Sequence, residues 1–461
     1  MVTEYYSLVF DVGKTHVELH VLNADCESVS SSAMLNRVVR RQPYPHYDTE
    51  GIWRWLLNGI EEAANLYAVD SICITTHGAT AALVDRNAGG SGLVLPIIDY
   101  EYDDIETYNE EYNAIRPLFS ETFSPALPDG LNLGRQLYWQ QNQFPYAFAK
   151  VTDILMYPQY WAWRLTGVAC SEITSLGCHT DLWAPQKNDF STLVEERGWR
   201  SKFPDILPAW TDLGKVKPAL RMQTGLPGSC KVYGGIHDSN ASFLRYRAVL
   251  EKKPFAVVST GTWSVIMATE VPLEVLDERR DMLTNTDIFG RAVACSRSKG
   301  GHEYDTICEL TGSYVDEPYS ETDLQALIDS NVMALPDFSG GSGPFPGKDG
   351  RIRGRYSLQP GSALASLYCA MMIDYQLDLL RVTGDIFVEG GFLKNTGFCR
   401  LLAQLRQPQQ VYLSSDEIGT VKGCAILALQ GKKNTLNVSP AKPTGLDGLL
   451  KYRERWREAA Q

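Results

Sequence analysis

The chain has 461 residues, with 43 Lys+Arg against 55 Asp+Glu and a formal net charge of −12. At 44% hydrophobic and 21% charged residues it can bury sizeable cores, which excludes a disordered or collagen-like chain, and its length predicts two to four domains. The acidic balance argues against a nucleic-acid or anionic-membrane partner, and no run of about 18 apolar residues is present to cross a bilayer.

The opening Met1-Val-Thr-Glu-Tyr-Tyr lacks a basic segment followed by an apolar core, so no secretory signal is expected. The ten cysteines are scattered without a Cys-x-x-Cys pair, several in apolar settings such as Ile72-Cys73-Ile74. That usage predicts buried, reduced thiols and a cytoplasmic location. The His and Cys spacings offer no zinc set.

In chain order, Tyr6–Phe10 reads as an apolar strand, followed by the polar turn Asp11-Val-Gly-Lys-Thr15 and an alternating strand over 16–22. The spacing of Ile52, Trp55, Leu56, Ile60 and Ala63 predicts an amphipathic helix over 51–67. Strands are expected over 69–75 and 81–84. Residues 133–166 read as helical with interruptions near Pro145 and Pro158, their aromatic residues belonging to the core. Lys231-Val-Tyr-Gly-Gly-Ile-His-Asp238 reads as strand, glycine turn and helix start. After a linker at 251–254 the opening pattern recurs: strand 254–258, turn Ser259-Thr-Gly-Thr262 and strand 263–267. Helices are expected over 362–380, from 397 and over 416–428, with a strand from Asp385 ending at Gly390-Gly391. The Gly-rich loop 338–354 reads as the most mobile segment. Two hairpins with small-polar-Gly tips, each opening one half of the chain, are what a duplicated α/β architecture with two phosphate-binding loops would produce.

Several of these residues offer chemistry. In Asp11–Thr15, Gly13 permits close backbone approach, Lys14 and Thr15 can meet phosphate oxygens, and Asp11 can hold Mg²⁺ through water. The alternative is a plain hairpin, and the Gly-x4-Gly-Lys-Ser/Thr spacing of a Walker A loop is absent. Thr260, Gly261 and Thr262 can cradle phosphate, or only satisfy their own turn. Asp238, at a strand-to-helix junction, suits either a general base or a helix N-cap. Gly390, Gly391 and Asn395 suit an adenine ring against backbone, or a connection needing positive φ. His77, Gly78 and Asp99, at expected strand ends, can contact polyol hydroxyls or cap turns.

In order, these segments resemble the FGGY family of carbohydrate kinases. The resemblance rests on Asp11-Val-Gly-Lys-Thr15, Thr76-His-Gly-Ala-Thr80, Arg164-Leu-Thr-Gly167, Gly234-Gly-Ile-His-Asp238-Ser-Asn-Ala241, Ser259-Thr-Gly-Thr-Trp263, Glu389-Gly-Gly391 with Asn395, and Gly419–Ala428. It implies an α/β, duplicated actin-like ATPase (ribonuclease H-like) fold with two domains, 1–248 and 249–461, around a central cleft. It also implies ATP and Mg²⁺, with Asp238 as catalytic base and Asp11 and Asp238 as metal residues. Gly13, Lys14, Thr15, Thr260, Gly261, Thr262, Gly390, Gly391 and Asn395 would hold nucleotide. His77, Gly78, Asp99, His237 and Asp238 would hold the sugar, and a homodimer is in keeping with the family.

Departures fall mainly on the sugar side. Ile98-Asp-Tyr-Glu101 replaces the usual Trp-Asn-Asp-x-Arg, Val17-Glu18 stands where an Arg is common, Asp374 replaces a Glu, and Gly354-Arg-Tyr-Ser-Leu358 replaces a Gly-Leu segment. His237-Asp238 and the second hairpin are most similar to rhamnulose and fuculose kinases. A xylulose, ribulose or polyol kinase is the alternative, and a non-catalytic ATP-binding regulator of the same superfold is the alternative class.

Overall fold

The computed structural model describes residues 5–355, 359–429 and 435–461. The departure at Tyr356-Ser-Leu358 lies outside the described residues, as do residues 1–4. The chain forms two units. One comprises residues 1–249 with the later segments 284–292 and 418–434; the other comprises 250–283, 293–417 and 435–461.

In the first unit, β1 (Tyr6–Val12), β2 (His16–Leu22) and β3 (Ser28–Leu35) form an antiparallel meander. Next to β1 lies β4 (Val69–Thr76), parallel to it, and beyond β4 come β5 (Asp212–Lys215), β6 (Lys231–Tyr233) and β7 (Ile236–His237). The sheet order is β5-β6-β4-β1-β2-β3, with β7 paired to the end of β4. Leu8, Val9 and Phe10 are all buried, because helices cover both sheet faces. Leu8, Phe10 and Val12 pack with Ile52, Trp53 and Leu56 of α1 (Thr49–Leu66) and with Trp161 of α2 (Tyr157–Thr166). Val9 and Cys73 point the other way, toward Ala241 and Leu244 of the helix that follows β7. A strand covered on both faces reads as a continuous apolar run, as this one does.

The Asp48 side chain caps α1, accepting from Gly51 N at 2.9 Å, and Gly167 at φ 85° ends α2. Residues 133–166 are not continuously helical as expected. Asp153–Met156 is a strand antiparallel to Ala81–Val84, since the short buried run Ile154-Leu-Met156 pairs more readily than it continues a helix broken at Pro145. The short helix Gly419–Ala425 packs against the sheet's second face. A Cβ on Gly423 would lie 1.7 Å from the Ala241 carbonyl oxygen, so only glycine allows that approach.

The second unit repeats the plan. β8 (Phe255–Thr260), β9 (Ser264–Ala268), β10 (Met282–Thr286), β11 (Ala292–Ser298), β12 (Asp385–Gly390), β13 (Val411–Ser414) and β14 (Val438–Pro440) make a sheet of order β10-β11-β9-β8-β12-β13-β14, of which residues 284–286 and Ala292 are counted with the first unit. Its antiparallel β11-β9-β8 corresponds to β3-β2-β1, and parallel β12 and β13 correspond to β4 and β6. The central helix, Gly361–Leu379, is buried along nearly its whole length. Its Asp374, fully buried, meets Arg406 at 3.1 Å and Arg457 at 2.5 Å, so this departure from the family pattern is an ion-pair hub.

The loop 338–354, expected to be mobile, is anchored. Asp337 accepts from Gly341 N, Gly343 N donates to Asp281 at 2.8 Å, and residues 351–353 pair with 333–335. Beneath it, buried Glu303 accepts from Tyr368 Oη at 2.6 Å and Phe338 N at 3.2 Å. Burial, with nearby Asp337, pushes its carboxyl up to about 7 from an ordinary 4.5. Between those values the folded chain holds this proton more tightly than the unfolded chain, so stability falls as pH rises through that window. Glu303→Gln is expected to flatten that fall, read as urea midpoints at a pH of about 5 and about 7.5.

Candidate active site

Register places the chemistry in the first unit. Asp11 pairs with Thr75 and Val12 with Thr76, while Ile236 pairs with Thr75 and His237 with Thr76. Three parallel strands therefore end side by side, and the residues just beyond them, Gly13, His77 and Asp238, emerge at one sheet edge. Crevices at the carboxyl ends of such strands are where open α/β sheets bind ligands. The His77 amide donates to Val12 O at 2.9 Å, locking two of these ends.

Asp238 begins α3 (Asp238–Leu250) with its side chain about one-third exposed. Its Oδ1 accepts from Ser239 N at 2.5 Å and Ser239 Oγ at 3.2 Å, and lies 3.1 Å from His237 Nε2. Oδ2 accepts nothing from the described residues. One oxygen is anchored and the other is open, which suits a base.

Asp11 lies close enough to feel that charge. Burial, then the Asp238 carboxylate, then Glu18, push the Asp11 carboxyl well above the usual range. No Lys or Arg pairs with either acid among the described residues. A divalent cation would relieve this repulsion, and oxygen donors are what Mg²⁺ takes, so the pair fits that ion.

His77 is nearly buried among the rings of Tyr47, Tyr100 and Tyr157. Its Nδ1 lies 3.0 Å from Gly78 O, to which it must donate, leaving Nε2 buried, unprotonated and without a partner among the described residues. Burial pulls the imidazole down to about 4, so it stays neutral. An acceptor nitrogen held in this way can receive a hydrogen bond from a ligand hydroxyl. At Gly78 a side chain would press on His237, 3.0 Å from Nε2.

Lys14 was expected at phosphate, yet its ammonium is held by Asp99 and by Glu101 at 3.2 Å, over the Tyr100 ring at 4.3 Å. Two carboxylates and an aromatic face hold the ammonium where open solvent would not. His237, expected to touch sugar, is buried, with Nδ1 3.1 Å from Asn240 Nδ2 and Nε2 3.5 Å from Cys178 Sγ and 3.1 Å from Asp238 Oδ1. Gly13 and Thr15 remain at the hairpin tip, where Asn36 braces the turn by donating to Gly13 O at 2.8 Å.

In the second unit, a cavity of about 760 Å³ is lined by Gly261, Thr262, Gly301, Tyr319, Gly391 and Asn395, among others. It lies at the carboxyl ends of β8 and β12, where Thr260 pairs with Gly390. Thr260 was expected to bind phosphate, but its hydroxyl donates to Glu389 O at 2.6 Å and accepts from Phe392 N at 3.0 Å. The hydroxyl thereby clamps the two strand ends. The Asn395 amide is likewise occupied: it caps the helix Thr396–Leu405 through Phe398 N, accepts from Tyr319 Oη at 2.5 Å, and donates to Ser366 Oγ at 2.7 Å. Gly261, Thr262 and Gly391 remain exposed, with backbone available to a ligand.

Sequence reasoning missed Lys299-Gly300-Gly301, which opens the 12-residue helix Gly300–Thr311 beside the second hairpin; Gly301 N donates to Gly261 O at 3.1 Å. A Lys-Gly-Gly run before a helical pattern was the available signal. It also missed Tyr319 and Phe392, which no local pattern distinguishes from core aromatics.

Comparison with known proteins agrees with this geometry. The sequence pattern of the FGGY family of carbohydrate kinases, N-terminal domain, matches residues 6–244, and that of carbohydrate kinase FGGY, C-terminal domain, matches 252–436. A carbohydrate kinase from Novosphingobium aromaticivorans, of known crystal structure, is 35% identical; the similarity covers 100% of this chain and 99% of that one with a TM-score of 0.91. A rhamnulokinase from Oceanobacillus iheyensis is 26% identical over 50% of this chain and 48% of its own length. A xylulose kinase from Haemophilus influenzae is 24% identical over 62% and 61%. The chain thus spans about half the length of the first of these curated relatives. The duplicated α/β plan is the actin-like ATPase fold, and no described helix is long and apolar enough to cross a membrane. With both halves matched in order and along nearly their full length, this chain belongs to the FGGY family of carbohydrate kinases.

Proposed function

We propose that the protein transfers the γ-phosphoryl group of ATP to a hydroxyl of an uncharged ketose, with a deoxyketohexose such as L-rhamnulose or L-fuculose as the leading acceptor. The observation that carries this reading is Asp238: a partly exposed carboxylate with one oxygen anchored and one open, beside Asp11 and neutral His77. Asp238 Oδ2 takes the acceptor hydroxyl proton as that oxygen bonds to the γ-phosphorus. The bond from the γ-phosphorus to its bridging oxygen breaks, and ADP leaves with the electron pair. Asp11 would hold Mg²⁺, which would neutralise charge on the phosphates. In the second unit, Gly261, Thr262 and the Gly300-Gly301 helix start offer backbone and hydroxyl donors to the nucleotide, and Gly390 and Gly391 offer a flat wall to its base; in the first unit, Gly13 and Thr15 are donors suited to phosphate.

Lys14, Asp99 and His77 orient the acceptor. The acids Asp99, Glu101 and Asp238 outnumber the one cation Lys14, so an acceptor bearing a carboxylate is disfavoured. The rhamnulokinase and xylulose kinase relatives support a ketose without deciding between a six-carbon deoxy sugar and a pentulose. Release of ADP from Mg·ATP, measured with a panel of rhamnulose, fuculose, xylulose, ribulose, polyols and aldonates, tests this. A ketose is expected to give turnover and aldonates none. ADP release indifferent to every sugar would favour an ATP-binding regulator instead.

A further inference from the structure

The outer strand of a sheet carries a row of backbone N–H and C=O groups with no strand to meet them, and proteins keep such edges short, charged, proline-bearing or covered. Three of the four edges of the two large sheets are kept in this way. β5 has four residues, a register break and Lys215; β10 is buried throughout; β14 has three residues and ends in Pro440. β3 is different. Ser28–Leu35 is eight residues long and exposed at all but Met34, with no charge and no proline, and it pairs only with β2 among the described residues. It also holds two large apolar side chains in solvent, Val29 at 42% and Leu35 at 52% exposure.

A second copy of the chain is the occupant that fits this edge. Two copies that continue one sheet are related by a two-fold axis normal to it, which sets the second β3 antiparallel to the first. That rotation leaves every side chain on its own face. Opposed residues share a face, so one residue must stand opposite itself at the axis. With Ser31 at the axis, Glu27 meets Leu35 of the second copy; with Ala33 there, Val29 meets Arg37. With Ser32 there, Val29 meets Leu35 and Ser31 meets Ala33, while Glu27 and Arg37 face each other beyond both strand ends. Of these three registers, this one joins apolar to apolar and acid to base. Glu27 and Arg37 are exposed, and neither enters an ion pair among the described residues. An antiparallel neighbour therefore finds the opposite charge at each end, where a parallel one would find the same charge.

We infer that β3 is a self-association surface: two copies of the chain join their sheets antiparallel through β3, with Ser32 on the two-fold axis. Main-chain hydrogen bonds supply the attraction, and the Val29–Leu35 and Glu27–Arg37 pairs, each made twice, fix the register. The contact is one strand wide, so the dimer forms at micromolar concentration.

Sedimentation velocity of the full chain across the micromolar range tests this, and a monomer–dimer equilibrium is expected. Glu27→Lys or Arg37→Glu alone sets like charges against each other at two symmetric places. Each is expected to raise the dissociation constant about tenfold, and the two reversals together to restore it. Leu35→Lys is expected to leave a monomer. All three positions are exposed, so thermal midpoints should match the parent. Opposed Cα atoms lie about 4.5–5.5 Å apart, within disulfide reach. Ser32→Cys is therefore expected to cross-link as a dimer when diamide takes up the two thiol hydrogens, and Ser28→Cys, opposite Asn36, to cross-link no more than the parent. A monomer at every concentration, or a dimer indifferent to Leu35→Lys and to both single reversals, overturns the inference. So does a double reversal that stays weak, or a cross-link at Ser28→Cys in place of Ser32→Cys.

Discussion

Asp238→Asn is expected to lower sugar phosphorylation by roughly 10²–10⁴-fold while ATP still binds, because general-base catalysis contributes about that much. The substitution preserves shape. Asparagine can keep the Oδ1 contacts with Ser239 and His237, but the amide in place of Oδ2 cannot accept a proton. Stability should not suffer. Asp11 is pushed up in part by the Asp238 charge, so removing that charge relieves a like-charge repulsion. The expected result is a thermal midpoint equal to or above that of the parent, with the Asp11 carboxyl returning toward its ordinary range. Steady-state turnover, nucleotide titration and thermal denaturation of one variant separate lost chemistry from lost folding. Turnover within a few-fold of the parent would remove Asp238 from its role.

Gly390→Ala is expected to destabilise the second unit by about 4 kcal/mol or more and to abolish ATP binding. Gly390 sits at φ 89°, and an added Cβ would lie 2.0 Å from Thr260 O, a backbone atom of the paired strand. The strand end must move, and the movement breaks the Thr260 clamp on Glu389 O and Phe392 N. The cavity wall at Gly391 then loses its support. The urea midpoint and nucleotide affinity should fall together. Gly391→Ala is the control, because its added Cβ would lie 3.7 Å from Thr260 O, an ordinary contact, and its backbone is not left-handed. A stable Gly390→Ala protein that binds ATP normally would contradict this account of the strand-end junction.

The strand ends were legible in the sequence because apolar runs stopped abruptly at Gly-Lys, His-Gly, His-Asp and Gly-Gly, and such punctuation is local. The duplication was legible for the same reason. Pairings across the fold were not. Lys14 reads as a phosphate ligand beside Gly13, and only the placement of Asp99 and Glu101, about ninety residues away, draws its ammonium elsewhere. Thr260 and Asn395 look free because their partners, Glu389 O and Tyr319, come from distant elements. Residues 284–292 and 418–434 join the first unit by packing rather than by sequence, as Gly423 against Ala241 illustrates.

The most direct test of the central claim is ³¹P NMR of Mg·ATP incubated with the purified protein and the ketose that gives turnover. The account predicts one new phosphomonoester resonance that grows in step with ADP, and no growth of either without sugar. Inorganic phosphate appearing in place of the phosphomonoester would contradict it.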